Sequence, residues 1–225
     1  MPESFAVEMA PARKVTATSY PAAKQQSAGI TLILAHGAGA GQRSPFMVNY
    51  ATALSQRGID IVTFDFPYME ERRRLPDPKD RLEGCYRAVI AAVLARASGR
   101  RHLAIGGKSM GERIASQIAA GDLPQVAGLV LLGYPLHPPG KKDQLRDQHL
   151  PAIKAPMLFV QGERDPFGAP EELKPIIAKL KAPVELFEVA GGDHSFKAPK
   201  KGGVPQEEVH KSILDRIERW LRASL

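Results

Sequence analysis

Short runs of consecutive apolar residues recur along the chain and predict the strands of one sheet. Most of the runs are continuous rather than alternating, which is typical of strands buried on both faces of a parallel sheet. They are Ile30–Ala35, Ile59–Phe64, His102–Ile105, Ala127–Leu132, Pro156–Val160 and Val184–Val189. A further strand, Arg13–Tyr20, is predicted at a sheet edge because Val15 to Thr18 alternate and include β-branched residues.

Between these runs, apolar residues recur every three or four positions, which is typical of amphipathic helices. The predicted apolar stripes begin at Phe46, Leu82, Ile114, Leu173 and Val209, and the first three helices end near Gly58, Gly99 and Gly121. Ser44 and Pro45 form an N-cap and first helical residue, and Pro175 is expected to shorten or kink the fourth helix. The alternation predicts one α/β domain over residues 1–225, with a mainly parallel twisted sheet, helices on both faces and an irregular segment at 1–28.

Composition and charge narrow the class of protein. The net charge is +7, but the basic residues are scattered and lack the aromatic interleaving of a nucleic-acid module, so we expect no nucleic-acid partner. No apolar run reaches the length of a membrane span, and the first residues lack a secretory signal pattern, which predicts a cytoplasmic protein without a membrane partner. The single cysteine, Cys85, excludes an intramolecular disulfide and a cysteine-based zinc site, and lies on an apolar helix face.

A serine between two glycines follows the strand that starts at His102. Gly107 to Gly111 fits the pattern G-x-S-x-G, in which a serine occupies a strained turn from strand to helix. The alternative is an ordinary glycine-rich turn. The position between a buried strand and an amphipathic helix favours Ser109 as a nucleophile.

Two further strand ends carry the partners that such a serine needs. Asp165 lies after the strand Pro156–Val160, with Glu163 as a rival carboxylate, and His194 follows the strand Val184–Val189. An aspartate can fix the tautomer of an imidazole that accepts the serine proton. The order Ser109, Asp165, His194 is that of nucleophile, acid and base in α/β-hydrolases. Asp193 is expected to be a turn residue or a solvent-facing charge.

The small residues after Ile30–Ala35 suggest a second part of the site. A tetrahedral intermediate needs two N–H donors, and in this pattern one comes from the residue after the nucleophile, here Met110. Ala38 is the expected second donor, with Gly39 as its rival. A phosphate-binding loop is disfavoured because the spacing GxxxxGK[ST] is absent.

Two segments, Phe66–Asp80 and Gly133–Leu150, are expected to be loops that border the site. Candidate substrate-binding residues are His36, Gly39, Tyr68, Arg72, Lys108 and His137. The basic residues Lys108, Arg72–Arg74 and Lys141–Lys142 could select anionic esters, or be solvated surface charges.

The sequence resembles the α/β-hydrolase superfamily, in particular the dienelactone-hydrolase-like group and its branch of testis-expressed and NSL-complex-subunit hydrolase-like proteins. The matching stretches are His36–Gly41, Pro45–Met47, Phe66–Tyr68, Arg72–Asp77, Gly106–Gly111, Gly133–Lys141 and Gly162–Gly168. Two positions depart from these relatives: Ser109 stands where dienelactone hydrolases carry cysteine, and Glu112 where the branch usually has glycine. Glu112 would place a negative charge where the helix dipole favours it.

The motifs and the resemblance together imply a serine hydrolase with an α/β-hydrolase fold and no separate lid domain. The implied reaction is cleavage of a small carboxylic ester or thioester through an acyl-enzyme on Ser109, without a cofactor or metal. A non-catalytic hydrolase-like scaffold is the alternative, since fold does not imply function, and a serine peptidase is a third. Whether the protein is a monomer or a homodimer stays open.

Overall fold

A computed structural model describes residues 1–9, 13–23, 27–97, 102–121, 123, 125–199 and 204–225. An eight-stranded sheet runs through this part of the chain in the order β1-β2-β4-β3-β5-β6-β7-β8. The strands are β1 Glu3–Met9, β2 Arg13–Tyr20, β3 Ile30–Ala35, β4 Asp60–Phe64, β5 His102–Lys108, β6 Val126–Leu132, β7 Met157–Gly162 and β8 Val184–Val189. Strand β2 pairs antiparallel with both β1 and β4, and the other neighbouring strands pair in parallel, which confirms the predicted mainly parallel sheet.

Two differences from the predicted strands have local causes. Strand β1 lies in the segment that was expected to be irregular. Among its residues only Val7 is fully buried, and the strand pairs only with β2 at the edge of the sheet, so its sequence carries no apolar run. Strand β5 extends beyond Ile105 to Lys108 through two glycines. A Cβ on Gly106 would lie 1.9 Å from the Val130 carbonyl oxygen, so a strand this close to β6 needs glycine here.

Six helices cover the sheet. They are α1 Pro45–Gln56, α2 Pro67–Glu70, α3 Lys79–Arg96, α4 Met110–Ala119, α5 Pro170–Ile177 and α6 Gln206–Ser224. Helices α1 and α6 bury their apolar stripes in one core and α3, α4 and α5 in the other, so helices lie on both faces as predicted. The short α2 lies in a segment that was expected to be a loop, and the predicted end of α3 at Gly99 lies outside the described residues.

The core contains the side chains that the apolar stripes predicted. Cys85 is fully buried on α3 as a free thiol whose pKa is raised by burial, which confirms it as a core residue. In the described ranges, no helix combines the length and the apolar character needed to cross a membrane.

The sheet register brings the carboxyl ends of the central strands to one edge. Lys108 of β5 pairs with Leu132 of β6, and Gly162 of β7 pairs with Val189 of β8. The loops after these strands therefore meet, as is usual at the functional edge of an α/β sheet. Across the described residues, no separate lid domain lies over this edge: residues 133–149 form a loop that ends in a 3₁₀ turn at Leu150–Ala152.

Candidate active site

Ser109 lies in a strained turn between β5 and α4. Its backbone has φ 53° and ψ −113°, a conformation that non-glycine residues rarely adopt. The turn packs tightly on the end of β3: a Cβ on Gly107 would lie 2.4 Å, and one on Gly111 2.3 Å, from the Ala35 carbonyl oxygen. The two glycines of the motif are thus required by close backbone contact, and the serine is held at the tip of the turn.

His194 connects Ser109 to Asp165. The His194 Nε2 atom lies 2.8 Å from Ser109 Oγ, and its Nδ1 atom lies 2.7 Å from Asp165 Oδ2. Because a carboxylate only accepts, Nδ1 carries the proton and Nε2 accepts from the serine hydroxyl. The rival carboxylate Glu163 is exposed and accepts instead from the Gly191 N–H at 2.7 Å. The geometry therefore favours Asp165 as the partner of the histidine.

A buried glutamine holds the Asp165 carboxylate. Gln161 Nε2 donates to Asp165 Oδ2 at 3.0 Å and to the Gly168 carbonyl oxygen at 2.6 Å. Its Oε1 accepts from the Tyr134 N–H at 2.7 Å, and the Phe167 N–H donates to Asp165 Oδ1 at 2.8 Å. Sequence reasoning missed Gln161, although a polar residue that ends an apolar strand was a usable signal.

The loop that carries His194 is held against the sheet by Lys108. The Lys108 ammonium donates to the His194 carbonyl oxygen at 2.5 Å and lies 5.1 Å from the centre of the Phe196 ring. Burial lowers the pKa of Lys108, while nearby carboxylates, including Glu112, oppose that shift. Lys108 also lines the catalytic cavity, but its ammonium is used to position the histidine loop.

Asp193 has the turn role expected for it. Its Oδ1 accepts from the Ser195 N–H at 2.7 Å and from the Lys197 N–H at 2.9 Å. Beneath it, a Cβ on Gly162 would lie 2.5 Å from the Asp193 carbonyl oxygen. The turn therefore fixes the position of His194 relative to the end of β7.

The loop after β3 presents backbone amides to Ser109. Ala38 and Met110 line the same cavity as Ser109 and His194. Met110 is the first residue of α4, so its N–H has no partner within the helix. Within the described residues the Ala38 N–H has no hydrogen-bond partner, whereas the Gly39 N–H donates to Tyr68 Oη at 3.2 Å. The structure thus leaves Ala38 and Met110 as the better-placed donors.

His36 braces this loop and does not line the cavity. It is fully buried, and its Nδ1 donates to the Gly37 carbonyl oxygen at 2.8 Å. Its Nε2 accepts from the Phe66 N–H at 3.1 Å. Burial lowers the pKa of His36, which keeps the ring neutral and suited to both bonds. The structure thus places His36 behind the cavity lining, where both ring nitrogens bond to the backbone.

Tyr68 was also predicted to bind substrate and is instead fully buried. Its hydroxyl accepts the Gly39 N–H, and its own N–H donates to Asp77 Oδ2 at 2.8 Å. Asp77 in turn pairs with Arg73 and, at 2.9 Å, with Arg81. Tyr68 therefore connects the loop after β3 to an ionic cluster centred on the buried Asp77.

Two other predicted substrate contacts lie away from the cavity. His137 is 1% exposed, with Nδ1 donating to the Pro138 carbonyl oxygen at 2.8 Å and Nε2 lying 3.2 Å from Glu172 Oε2. Arg72 is exposed, with φ 54°, in the turn that follows α2. Neither residue lines the cavity, because packing turns one inwards and the helix turns the other to solvent.

Glu112, on the first turn of α4, is fully buried, and neither carboxyl oxygen has a hydrogen-bond partner within the described residues. The Ser109 N–H beside it donates to the Leu132 carbonyl oxygen at 3.2 Å instead. Burial and the nearby Asp165 raise the pKa of Glu112 well above its usual value, against the opposing charge of Lys108. Desolvation at this position therefore opposes the dipole-stabilised negative charge that was expected for Glu112.

The Glu112 pKa predicts how stability depends on pH. In the unfolded chain a glutamate has a pKa of about 4.3. Above that pH the folded protein holds a proton on Glu112 that the unfolded chain has lost, so the folded protein loses stability as the pH rises. Glu112→Gln removes this titration. As the pH rises from 5 to the folded-state pKa of Glu112, we expect the wild type to lose stability relative to this variant. The difference between their free energies of unfolding should change by up to about 1.4 kcal/mol per pH unit.

The measurement is urea unfolding of both proteins at pH 5, 6, 7 and 8. Glu207→Gln, at an exposed position on α6, is the matched control and should show no such trend. A wild-type-to-variant difference that stays constant across this range would contradict the assignment.

A cavity of about 520 Å³ opens at Ser109. Leu82, Met110, Pro135 and Phe167 contribute apolar surface, and Lys79, Arg113 and Arg146 contribute positive charge. The arrangement joins a nucleophile, a proton acceptor and free backbone amides around a space that fits a small molecule. It can support attack of the serine oxygen on a carbonyl carbon.

Solved structures with the same fold include several hydrolases. A serine hydrolase homologue from Coxiella burnetii is 20% identical, with a TM-score of 0.73 over 99% of this chain and 97% of its own. A serine hydrolase without lid from Xanthomonas campestris is 18% identical, with a TM-score of 0.74 over 97% and 94%. Dienelactone hydrolase from Anabaena variabilis ATCC 29413 is 19% identical, with a TM-score of 0.74 over 100% and 98%.

These likenesses show the fold, and the sequence itself shows the family. Residues 28–222 match the family described as alpha/beta hydrolase domain, which covers β3 to α6 and every residue of the site. With this match over most of its length, the chain belongs to the alpha/beta hydrolase domain family.

Proposed function

We propose that the protein is a serine hydrolase that cleaves a carboxylic ester or thioester of a small substrate. One observation carries the proposal: Ser109, His194 and Asp165 form a continuous hydrogen-bonded chain, with distances of 2.8 and 2.7 Å, that opens into a cavity. A Ser-His-Asp chain of this kind activates a serine hydroxyl in unrelated folds. The predicted elements and the family membership support the same class of reaction.

The proposed reaction has two steps on Ser109. In the first, Ser109 Oγ bonds to the carbonyl carbon while His194 Nε2 takes the hydroxyl proton, and the same proton then goes to the leaving oxygen or sulfur. In the second, His194 takes a proton from water, the hydroxide attacks the acyl-enzyme, and the proton returns to Ser109. Asp165 remains ionised throughout and stabilises the imidazolium.

The proposed oxyanion hole consists of the Ala38 and Met110 amides. Both flank Ser109 in the cavity, and developing negative charge on the carbonyl oxygen is stabilised by such preorganised donors. The Gly39 amide is not part of this oxyanion hole, because its N–H already donates a hydrogen bond to Tyr68 Oη.

Tyr68 provides a test of how the loop is held. Tyr68→Phe removes the acceptor for the Gly39 N–H and loosens the adjacent Ala38 amide. We expect kcat for 4-nitrophenyl acetate to fall by about 3- to 10-fold with KM nearly unchanged, since one donor is misplaced rather than lost. Tyr50→Phe, which removes a buried hydroxyl bonded to His210, is the control. A rise in KM without a fall in kcat would show that Tyr68 acts on substrate binding instead.

The substrate that we propose is a small ester or thioester, rather than a nucleic acid or a membrane lipid. The cavity has the volume of a small-molecule site, and no separate lid domain covers it across the described residues. Within the family, we place the chain in the branch of testis-expressed and NSL-complex-subunit hydrolase-like proteins. The long run Gly133–Lys141, which follows β6, supports that placement.

The decisive experiment is labelling with a fluorophosphonate, which bonds only to an activated serine. We expect stoichiometric labelling of the wild type and a mass shift on the peptide that contains Ser109. Ser109→Ala should not be labelled. Absence of labelling in the folded wild type would favour the non-catalytic scaffold, and labelling of a different serine would remove the assignment to Ser109.

A further inference from the structure

Two arginines lie beside Ser109 without a carboxylate partner. Arg113 follows the nucleophile by one turn of α4, and its N–H donates to the Ser109 carbonyl oxygen at 3.1 Å. Residues four apart lie on the same side of a helix, so the Arg113 side chain starts directly behind the serine. Arg146 comes from the loop after β6. Both are partly buried and line the cavity together with Ser109 and His194.

Several other basic residues around this edge are paired with carboxylates. Arg73 and Arg81 pair with Asp77, and Lys142 lies 3.1 Å from Glu172. By contrast, in the described part of the chain Arg113 and Arg146 form no ion pair, and the Arg146 guanidinium donates one hydrogen bond, to the Pro135 carbonyl oxygen at 3.3 Å. Of the residues expected to form a basic rim, Lys108 lines the cavity, whereas Arg72–Arg74 and Lys141–Lys142 do not. Arg113 and Arg146, from α4 and the loop after β6, line it as well.

The two guanidinium groups are close enough to repel each other. Burial and the charge of Arg146 lower the pKa of Arg113. The guanidinium still carries its charge at neutral pH, because the ordinary pKa of an arginine lies far above 7. Lys79 lines the same wall and pairs only with Glu83, at 3.5 Å, on its own helix. Concentrated positive charge in a partly desolvated cavity is unfavourable unless an anion enters, and the planar guanidinium matches carboxylate and phosphate oxygens.

We propose that Arg113 and Arg146 bind an anionic carboxylate or phosphate group of the substrate. The inference rests on the proposed function, and it narrows the substrates to esters or thioesters that carry such a group near the scissile bond. The arginines act on specificity: they hold the anion while Ser109 attacks the carbonyl. Arg72–Arg74 and Lys141–Lys142 have no part in it, because the lining of the cavity includes none of them.

The first test compares two esters that differ in one charge, 4-nitrophenyl hemisuccinate and its methyl ester. For Arg113→Gln and for Arg146→Gln we expect kcat/KM for the hemisuccinate to fall by about 10- to 100-fold, as for loss of one charged hydrogen bond. The methyl ester should change by less than about 2-fold, which also reports that the variants fold. Exposed Arg72→Gln is the matched control and should change neither value. Equal losses on both esters would overturn the proposal.

The second test does not depend on turnover. Binding of monomethyl succinate and of methyl phosphate to the Ser109→Ala variant is measured by calorimetry, with and without Arg113→Gln. We expect at least one of the two anions to bind, and its affinity to fall by about 10-fold or more when Arg113 is replaced. The tighter of the two identifies the anionic group. No binding of either anion would overturn the inference, whereas anion binding by a wild type that hydrolyses no ester would overturn only the proposed function.

Discussion

Ser109→Ala is expected to lower kcat for 4-nitrophenyl acetate by at least about 10³-fold, with the protein still folded. The variant loses the nucleophilic oxygen, so no acyl-enzyme can form, while the two backbone amides of the proposed oxyanion hole remain. The variant is still expected to hydrolyse the ester faster than water alone does, because those amides and substrate binding remain. Alanine also relieves no packing: the strained turn is held by Gly107 and Gly111 against β3 rather than by the serine side chain.

The measurement is steady-state hydrolysis at pH 7.5, with the burst of nitrophenolate followed at high enzyme concentration. The wild type should show a burst of one equivalent if deacylation is slow, and the variant none. Ser212→Ala, at an exposed serine on α6, is the control and should match the wild type. A Ser109→Ala variant with activity near that of the wild type would show that the hydrolysis has another source.

Asp165→Asn is expected to lower kcat by about 10⁴-fold near neutral pH. In the wild type, Asp165 Oδ2 accepts both from His194 Nδ1 and from Gln161 Nε2, while Oδ1 accepts from the Phe167 N–H. An asparagine has one acceptor oxygen for these three donors. If its NH₂ group faces His194, the ring must accept at Nδ1 and carry its proton on Nε2, which then cannot take the proton of Ser109.

The comparison with Glu163→Gln decides between the two carboxylates in the loop after β7. Glu163 accepts only the Gly191 N–H, and a glutamine oxygen can do the same, so we expect its kcat to change by less than about 3-fold. Thermal unfolding of both variants checks that the loop stays folded. A larger loss for Glu163→Gln than for Asp165→Asn would reverse the assignment of the acid.

The predicted strands were most accurate where the pattern is local. Ile30–Ala35 and Val184–Val189 match β3 and β8 because each is a short, mostly apolar run preceded by glycine or proline. Strand β1 was missed because an edge strand with one buried residue has no such run. The short α2 was missed because four residues carry too little periodicity to predict a helix.

The residues of the site also divide into those that the local sequence pattern predicts and those that it does not. Ser109, Asp165 and His194 could be predicted because each stands in a glycine-rich loop directly after a strand, and parallel strands place such loops at one edge. Whether a side chain faces that edge or the core could not be predicted. Tyr68 and His137 are each next to a proline in segments expected to be loops, yet packing buries both.

The sequence alone therefore determined the α/β class, the strand-end motifs and the order of Ser109, Asp165 and His194, since these depend on neighbours along the chain. Only the tertiary structure decided that Gln161 holds Asp165, that Lys108 holds the His194 loop, and that Glu112 is buried without a partner. It also placed Arg113 and Arg146 in the cavity beside Lys108, without an ion-pair partner among the described residues, whereas the sequence had pointed to Arg72–Arg74 and Lys141–Lys142. The physical reason is that burial, desolvation and charge pairing depend on residues that are distant in the chain and meet only when the sheet is assembled.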